Sequence, residues 1–178
     1  MKKSILKFGL MGGIFTALMM VATVPFEDKI GLDRAEYLGY TLIVLSFLFV
    51  FFGIRSYRES AGQGHITFAK AFTVGLAITV ITCLFYVATW EILYFTVLHD
   101  FMDKYAAHMI EKAKASGASH EALMAQLQQL QQYRKMYENP LYNSAITFLE
   151  PFPVGLAITL ISAAILRKKL KSPQPAKS

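Results

Sequence analysis

The sequence predicts an all-α fold: an integral membrane four-helix bundle with an extracytoplasmic helical hairpin between its third and fourth spans. Three observations carry that expectation. Of the 178 residues, 54% are hydrophobic and 17% charged, against roughly 45–50% and roughly 25% in soluble domains. The scarce charges leave four long apolar runs, at about 5–24, 38–54, 72–98 and 146–166. Lysine and arginine crowd the flanks of these runs on one predicted side.

The first run follows Lys2, Lys3 and Lys7. Lysines ahead of an apolar run also describe a secretory signal. Val21-Ala22-Thr23 is a poor small-residue cleavage site, however, and the run is longer than a usual signal core, so the segment is expected to be retained as a span. About 20 helical residues cross a roughly 30 Å hydrocarbon core. A backbone with no water to bond to must satisfy itself, which a helix does.

The connection from Pro25 to Tyr37 carries Lys29 and Arg34 against four acids. After the second run, the next connection carries Arg55, Arg58 and Lys70 against Glu59 alone. With the N-terminus and the tail (Arg167, Lys168, Lys169, Lys171 and Lys177), these segments hold eleven basic residues and one acid. The lysine and arginine bias places both termini in the cytoplasm. Arg167, Lys168, Lys169 and Lys171 then read as a membrane-surface anchor, with 172–178 a disordered tail. The net charge of +6 belongs to topology. It does not mark a folded basic surface for nucleic acid.

Between the third and fourth runs, residues 99–144 are too many for a plain loop. Phe101, Tyr105, His108, Met109 and Lys112 fall at helical spacing, and Gly117 can close that helix. Ser119 can cap a second, with Glu121 in its first turn and Leu123, Leu127, Leu130, Arg134 and Tyr137 along one stripe. Asn139-Pro140 ends it. The first of these helices is either separate from the third span or continuous with it.

The fourth run opens on Glu150-Pro151-Phe152-Pro153. Each proline removes a helix donor and clashes with the preceding turn. The 13 residues from Val154 to Leu166 make about 20 Å of helix, too short to cross alone. The span is therefore either kinked or entered irregularly.

Val74-Gly-Leu-Ala-Ile-Thr79 recurs unchanged as Val154-Gly-Leu-Ala-Ile-Thr159. The two spans run in opposite directions, the relation found in inverted repeats of transporters. Packing gives a plainer use. Gly75 and Thr79, Gly155 and Thr159, and Gly9 and Gly13 each form a small face on which helices can approach closely.

Several segments together resemble a known family. They are Phe52-Gly-Ile-Arg55-Ser-Tyr57-Arg58, then Gly64-His-Ile66-Thr67-Phe68-Ala-Lys70-Ala-Phe72, Asp100-Phe101-Met102, and Glu150-Pro-Phe-Pro-Val-Gly155 leading to Arg167-Lys-Lys169. From about Ile5 to Lys169 the chain is similar to the bacterial membrane family catalogued as domain of unknown function 4199. The resemblance implies a four-span bacterial inner-membrane protein and no particular activity.

Two acids stand out for possible chemistry. Glu91 is the only acid inside an apolar run. It could carry protons or bind a cation, although Trp90 and Tyr94 beside it fit an interfacial aromatic belt. Glu150 precedes a helix start, where a negative charge is stabilised. Together Glu91 and Glu150 could line a small polar pocket on the outer side. His99-Asp100-Phe-Met-Asp103 lacks the converging ligand set of a zinc site. Lone Cys83 excludes an intrachain disulfide, and no hydrolase, zincin or phosphate-loop motif occurs. No catalytic residue, metal or cofactor is expected. The expectation is a non-enzymatic structural or accessory membrane protein, partnered by the lipid bilayer and by its own copies or another membrane protein. The alternative is a small oligomeric transporter or channel subunit using Glu91 and the proline-broken fourth span.

Overall fold

The structure, a computed structural model, describes residues 1–168. Lys169, Lys171 and the tail 172–178 lie outside the described residues. Every extended element is helical: α1 (Lys2–Thr23), a 3-10 turn (Val24–Phe26), α2 (Glu27–Ile30), α3 (Leu32–Ser60), α4 (Phe68–Thr96), α5 (Phe101–Ala115), α6 (His120–Tyr137), α7 (Pro140–Leu149) and α8 (Phe152–Leu166). Among the described residues, four segments are long and apolar enough to cross a membrane: Lys2–Phe26, Leu32–Ser60, Phe68–Thr96 and Pro140–Leu166.

The second of these outruns its apolar stretch at both ends and the third at its start, because backbone hydrogen bonding continues wherever nothing interrupts it. Interruption is local. Gly31, with φ +80°, precedes α3, and Gln63 and Gly64, both at positive φ, separate α3 from α4. Thr67 opens α4 by accepting from the Lys70 amide. At its other end the amides of Val97 and Leu98 both donate to Leu93 O, at 2.8 Å. The longer reach of Leu98 closes the helix as a Schellman-type cap does. This cap separates α5 from α4 and settles that the two are not one helix.

The fourth crossing segment is a correction to the predicted boundaries. Ten residues from Pro140 form α7 ahead of the break, so the 27-residue segment Pro140–Leu166 is long enough at about 40 Å. Asn139 creates α7: its side chain accepts from the amides of Leu141 and Tyr142, and Pro140 takes the first helical position, where no donor is needed. At Glu150-Pro151 the backbone keeps helical angles. The interruption is thus a kink, caused by two prolines that cannot donate to the turn before them.

α4 is the axis of the bundle, packed on α1, α3, α7 and α8. Phe47, Val50 and Ile54 of α3, Val74, Ile78 and Cys83 of α4, and Ala163 of α8 form the buried core. Close approach depends on glycine. A Cβ on Gly9 would meet Ile81, and one on Gly13 would meet the Phe85 ring at 2.5 Å. Large apolar side chains face outward all round, among them Leu10, Leu18, Leu48, Leu84 and Ile165, more than a water-soluble monomer ordinarily shows. At the end where α8 finishes, Ile66 and Lys168 exchange backbone hydrogen bonds of 3.0 and 2.9 Å, and Arg58 Nη1 donates to Leu166 O. Lys168 is thereby fixed beside the α3–α4 connection, with Arg167 next to it.

Candidate functional site

α5 and α6 form an antiparallel hairpin at the other end of the bundle. Gly117, at φ +77°, turns the chain, and Ser119 caps α6 by accepting from the Ala122 amide. Arg134 donates to Asp103 at 2.6 Å, and Gln126 reaches the Met109 carbonyl. Asp100 pairs with Lys104 at 3.1 Å, and the Lys104 hydrogen bond holds the Asp100 carboxyl below its ordinary range. Both acids beside His99 are therefore engaged by basic groups.

Two connections hold the hairpin over the bundle. One is electrostatic: Asp33, at the start of α3, accepts from Lys112 at 2.9 Å and contacts His108 at 3.2 Å. The Asp33 hydrogen bond raises the Lys112 ammonium above its usual range. The other is an asparagine. Asn143 of α7 is fully buried. Its Oδ1 accepts from Trp90 Nε1 at 3.0 Å and from Thr147 Oγ1 at 3.1 Å, and its Nδ2 donates to the Tyr137 carbonyl at 3.2 Å. One side chain thus joins α4, α6 and α7. Phe101 stands edge-on to Trp90 at 5.0 Å.

Between hairpin and bundle lies a cavity of about 640 Å³, within the range typical of small-molecule sites; α1, α3, α4, α5, α6 and α7 all contribute to its walls. Six of the chain's nine tyrosines line it: Tyr40, Tyr86, Tyr105, Tyr133, Tyr137 and Tyr142. So does Trp90, the only tryptophan. Tyr86 Oη donates to Glu150 Oε2 at 2.9 Å. Burial, followed by the Glu150 charge, pushes the Tyr137 phenol up to about 12, so this hydroxyl stays protonated and available as a donor.

Of the two acids singled out by sequence, Glu150 lines the cavity and Glu91 does not. Tyr86 and Trp90 are four residues apart and share the cavity face of α4, whereas Glu91 is turned about 100° from Trp90. Glu91 meets Ser144 of α7, and its Oε1 is buried without a hydrogen-bond partner among the described residues. The pocket therefore separates the pair. The small faces do meet: Gly75 lies against the methyl of Thr159, Gly155 against that of Thr79, and the two threonine hydroxyls are 2.9 Å apart. Asn143 carries no signal in the sequence. It is one polar residue at the edge of an apolar run, and its three partners come from three different helices.

This geometry defines a class: an all-helical bundle with four segments able to cross a membrane and a hairpin roofing an aromatic cavity at one end. The chain belongs to the family described as protein of unknown function (DUF4199), whose model matches residues 7–168. No curated protein and no solved structure shows significant similarity to it.

Proposed function

We propose that the protein is a non-enzymatic multi-pass protein of the bacterial inner membrane, with both termini cytoplasmic, acting as an accessory component through a ligand held beneath its outer hairpin. The observation that carries this reading is the tyrosine-lined cavity itself. Phenols offer ring faces together with hydroxyl donors and acceptors, which suits holding a ligand by shape and hydrogen bonds. The outward apolar side chains support a lipid environment, and the gathering of basic residues at one end supports the orientation. In that orientation Arg167 and Lys168 sit at the cytoplasmic surface.

Gentle extraction followed by native mass spectrometry tests the reading. The expected result is a retained small molecule or lipid of defined mass, lost when the cavity is filled by Gly39→Phe. Gly39 lines the cavity and has open space at its Cβ position, so the substitution fills without an immediate clash. Bare protein from every extraction, with unchanged behaviour in Gly39→Phe, would remove the reading.

A second reading draws on the kink at Glu150-Pro151 and the crossing of the repeated segments. Broken helices related by inversion occur at transporter sites. In this reading the chain is a subunit of an oligomeric transporter or channel, with Glu91 in the path. Ion flux in proteoliposomes that falls on Glu91→Gln would favour it over the first.

A further inference from the structure

The charges lining the cavity are unequal. Asp33, Glu36 and Glu150 face it, against Lys112 and His108. Both basic groups converge on Asp33, at the tether between hairpin and bundle. Among the described residues Glu150 receives only the Tyr86 hydroxyl, and neither Glu150 nor Glu36 forms an ion pair, although Lys112 lies within electrostatic range of Glu36. Tyr40 lies within electrostatic range of both glutamates, and Tyr86 and Tyr137 within range of Glu150. Tyr40 is 44% exposed, and Glu150 is likewise accessible, so a ligand in the cavity can reach both. The Thr16 hydroxyl, on a residue only 6% exposed, lines the same space without a hydrogen-bond partner among the described residues. Beyond the polar groups the walls are Met19, Met20, Leu42, Ile43 and Ile146, and methionines adapt to varied apolar shapes.

We infer that the cavity takes an organic cation, an amine or quaternary ammonium group on an apolar body, with its charge seated beside Glu150 and Glu36 among the rings of Tyr40, Tyr86 and Tyr137. Ring faces attract cations. A carboxylate lacking a basic partner in a confined site attracts one more strongly than it would in open water. The same two glutamates repel an anion of equal size. The apolar walls take the body of the ligand. A lipid headgroup and a free alkylammonium share this chemistry. The inference rests on the proposed role of the cavity as a ligand site.

Because Trp90 is the only tryptophan and lines the cavity, its fluorescence reports occupancy in the full chain. Octyltrimethylammonium, octyl sulfate and octyl glucoside provide a cation, an anion and a neutral probe with one tail. The expected result is a saturable change with the cation, none with octyl sulfate, and affinity about tenfold weaker in Glu150→Gln. Glu36→Gln, on an exposed helix turn, gives a smaller loss in the same direction and tests the inference should Glu150→Gln prove unstable. Reconstitution in phosphatidylethanolamine or phosphatidylglycerol separates the two sources. Competition by the first lipid alone identifies a headgroup, and no competition by either identifies a free cation. Equal saturable binding of all three probes, unaffected by either substitution, would overturn the cation and leave the cavity as a ligand site. No saturable response to any probe would overturn both.

Discussion

The hydroxyls of Thr79 and Thr159 lie 2.9 Å apart where α4 crosses α8, and the methyl of each faces the glycine four residues before the other. The repeated hexapeptide therefore makes a reciprocal contact: identical residues on antiparallel helices meet about a local two-fold axis. A Cβ on Gly155 would stand 2.5 Å from Thr79 Cγ2 and 2.7 Å from the Phe47 ring, while one on Gly75 would stand 2.8 Å from Thr159 Cγ2. Gly155→Ala is expected to destabilise the bundle by about 1–3 kcal/mol through overpacking, and Gly155→Ile by more. Thermal unfolding in detergent measures both. A Thr79→Val, Thr159→Val cycle should give a coupling of about 0.6 kcal/mol, typical of interhelical hydrogen bonds in membrane proteins. Independent effects of the two substitutions would show that the hydroxyl contact contributes nothing.

Asn143 is the polar centre of the hairpin end. Asn143→Ala leaves the Trp90 indole N–H, the Thr147 hydroxyl and the Tyr137 carbonyl without this partner, each a group that costs about 1–3 kcal/mol when buried unsatisfied. A loss of several kcal/mol would loosen α7 and the hairpin ahead of the core around Phe47 and Ile78. The expected observation is a red-shifted Trp90 emission at temperatures where helix content is unchanged. Simultaneous loss of both signals would place Asn143 inside the main cooperative unit.

What could be read from sequence and what could not divides along this boundary. Apolar runs, the Ser119 cap and the Gly117 turn are local features, and each announces an element by itself. α7 is not announced, because its first half is polar enough to pass for connection and the prolines at 151 and 153 draw attention to a later start. The cavity is less legible still. Tyr40, Tyr86 and Tyr137 are far apart along the chain, and a single tyrosine within a helix announces no site. Glu91 and Glu150 both stood out as acids near apolar sequence. Which of them faces the cavity depends on the rotation of α4 about its axis.

The Asp33–Lys112 contact can be captured covalently. With 2.9 Å between Lys112 Nζ and Asp33 Oδ1, a zero-length carbodiimide should join them by an amide, detected as a linked peptide after proteolysis. Asp33→Asn abolishes the product. Linked protein is expected to admit probes to the Trp90 cavity more slowly, since the hairpin can no longer lift from α3. Entry at an unchanged rate would mean that probes reach the cavity without the hairpin lifting from α3.

Alkaline titration probes Tyr137. Its phenol is raised from an ordinary value near 10 to about 12, chiefly by burial. The folded state therefore holds this proton through a pH window in which the unfolded chain releases it. The resulting stability is complete below about pH 10 and lost as pH rises through about 12. Ultraviolet difference titration should show a late phenol that disappears in Tyr137→Phe, together with a shallower decline in stability over the same window. Unchanged titration in the variant would mean that another tyrosine supplies the late step.

Topology offers a test independent of the cavity. Cys83 is the chain's only cysteine and is buried, so Cys83→Ala provides a background for single probes. Ser119→Cys, at the hairpin tip, should react with a membrane-impermeant maleimide in intact spheroplasts. Gln63→Cys, in the connection beside Lys168, should react only after permeabilisation. The reverse pattern would put the basic end outside, against the lysine and arginine bias, and would place the cavity of Glu150 and Trp90 on the cytoplasmic side. Equal reactivity of both sites before permeabilisation would remove the membrane-spanning arrangement, because a helix that carries α4 across the bilayer must leave its two flanking connections in different compartments.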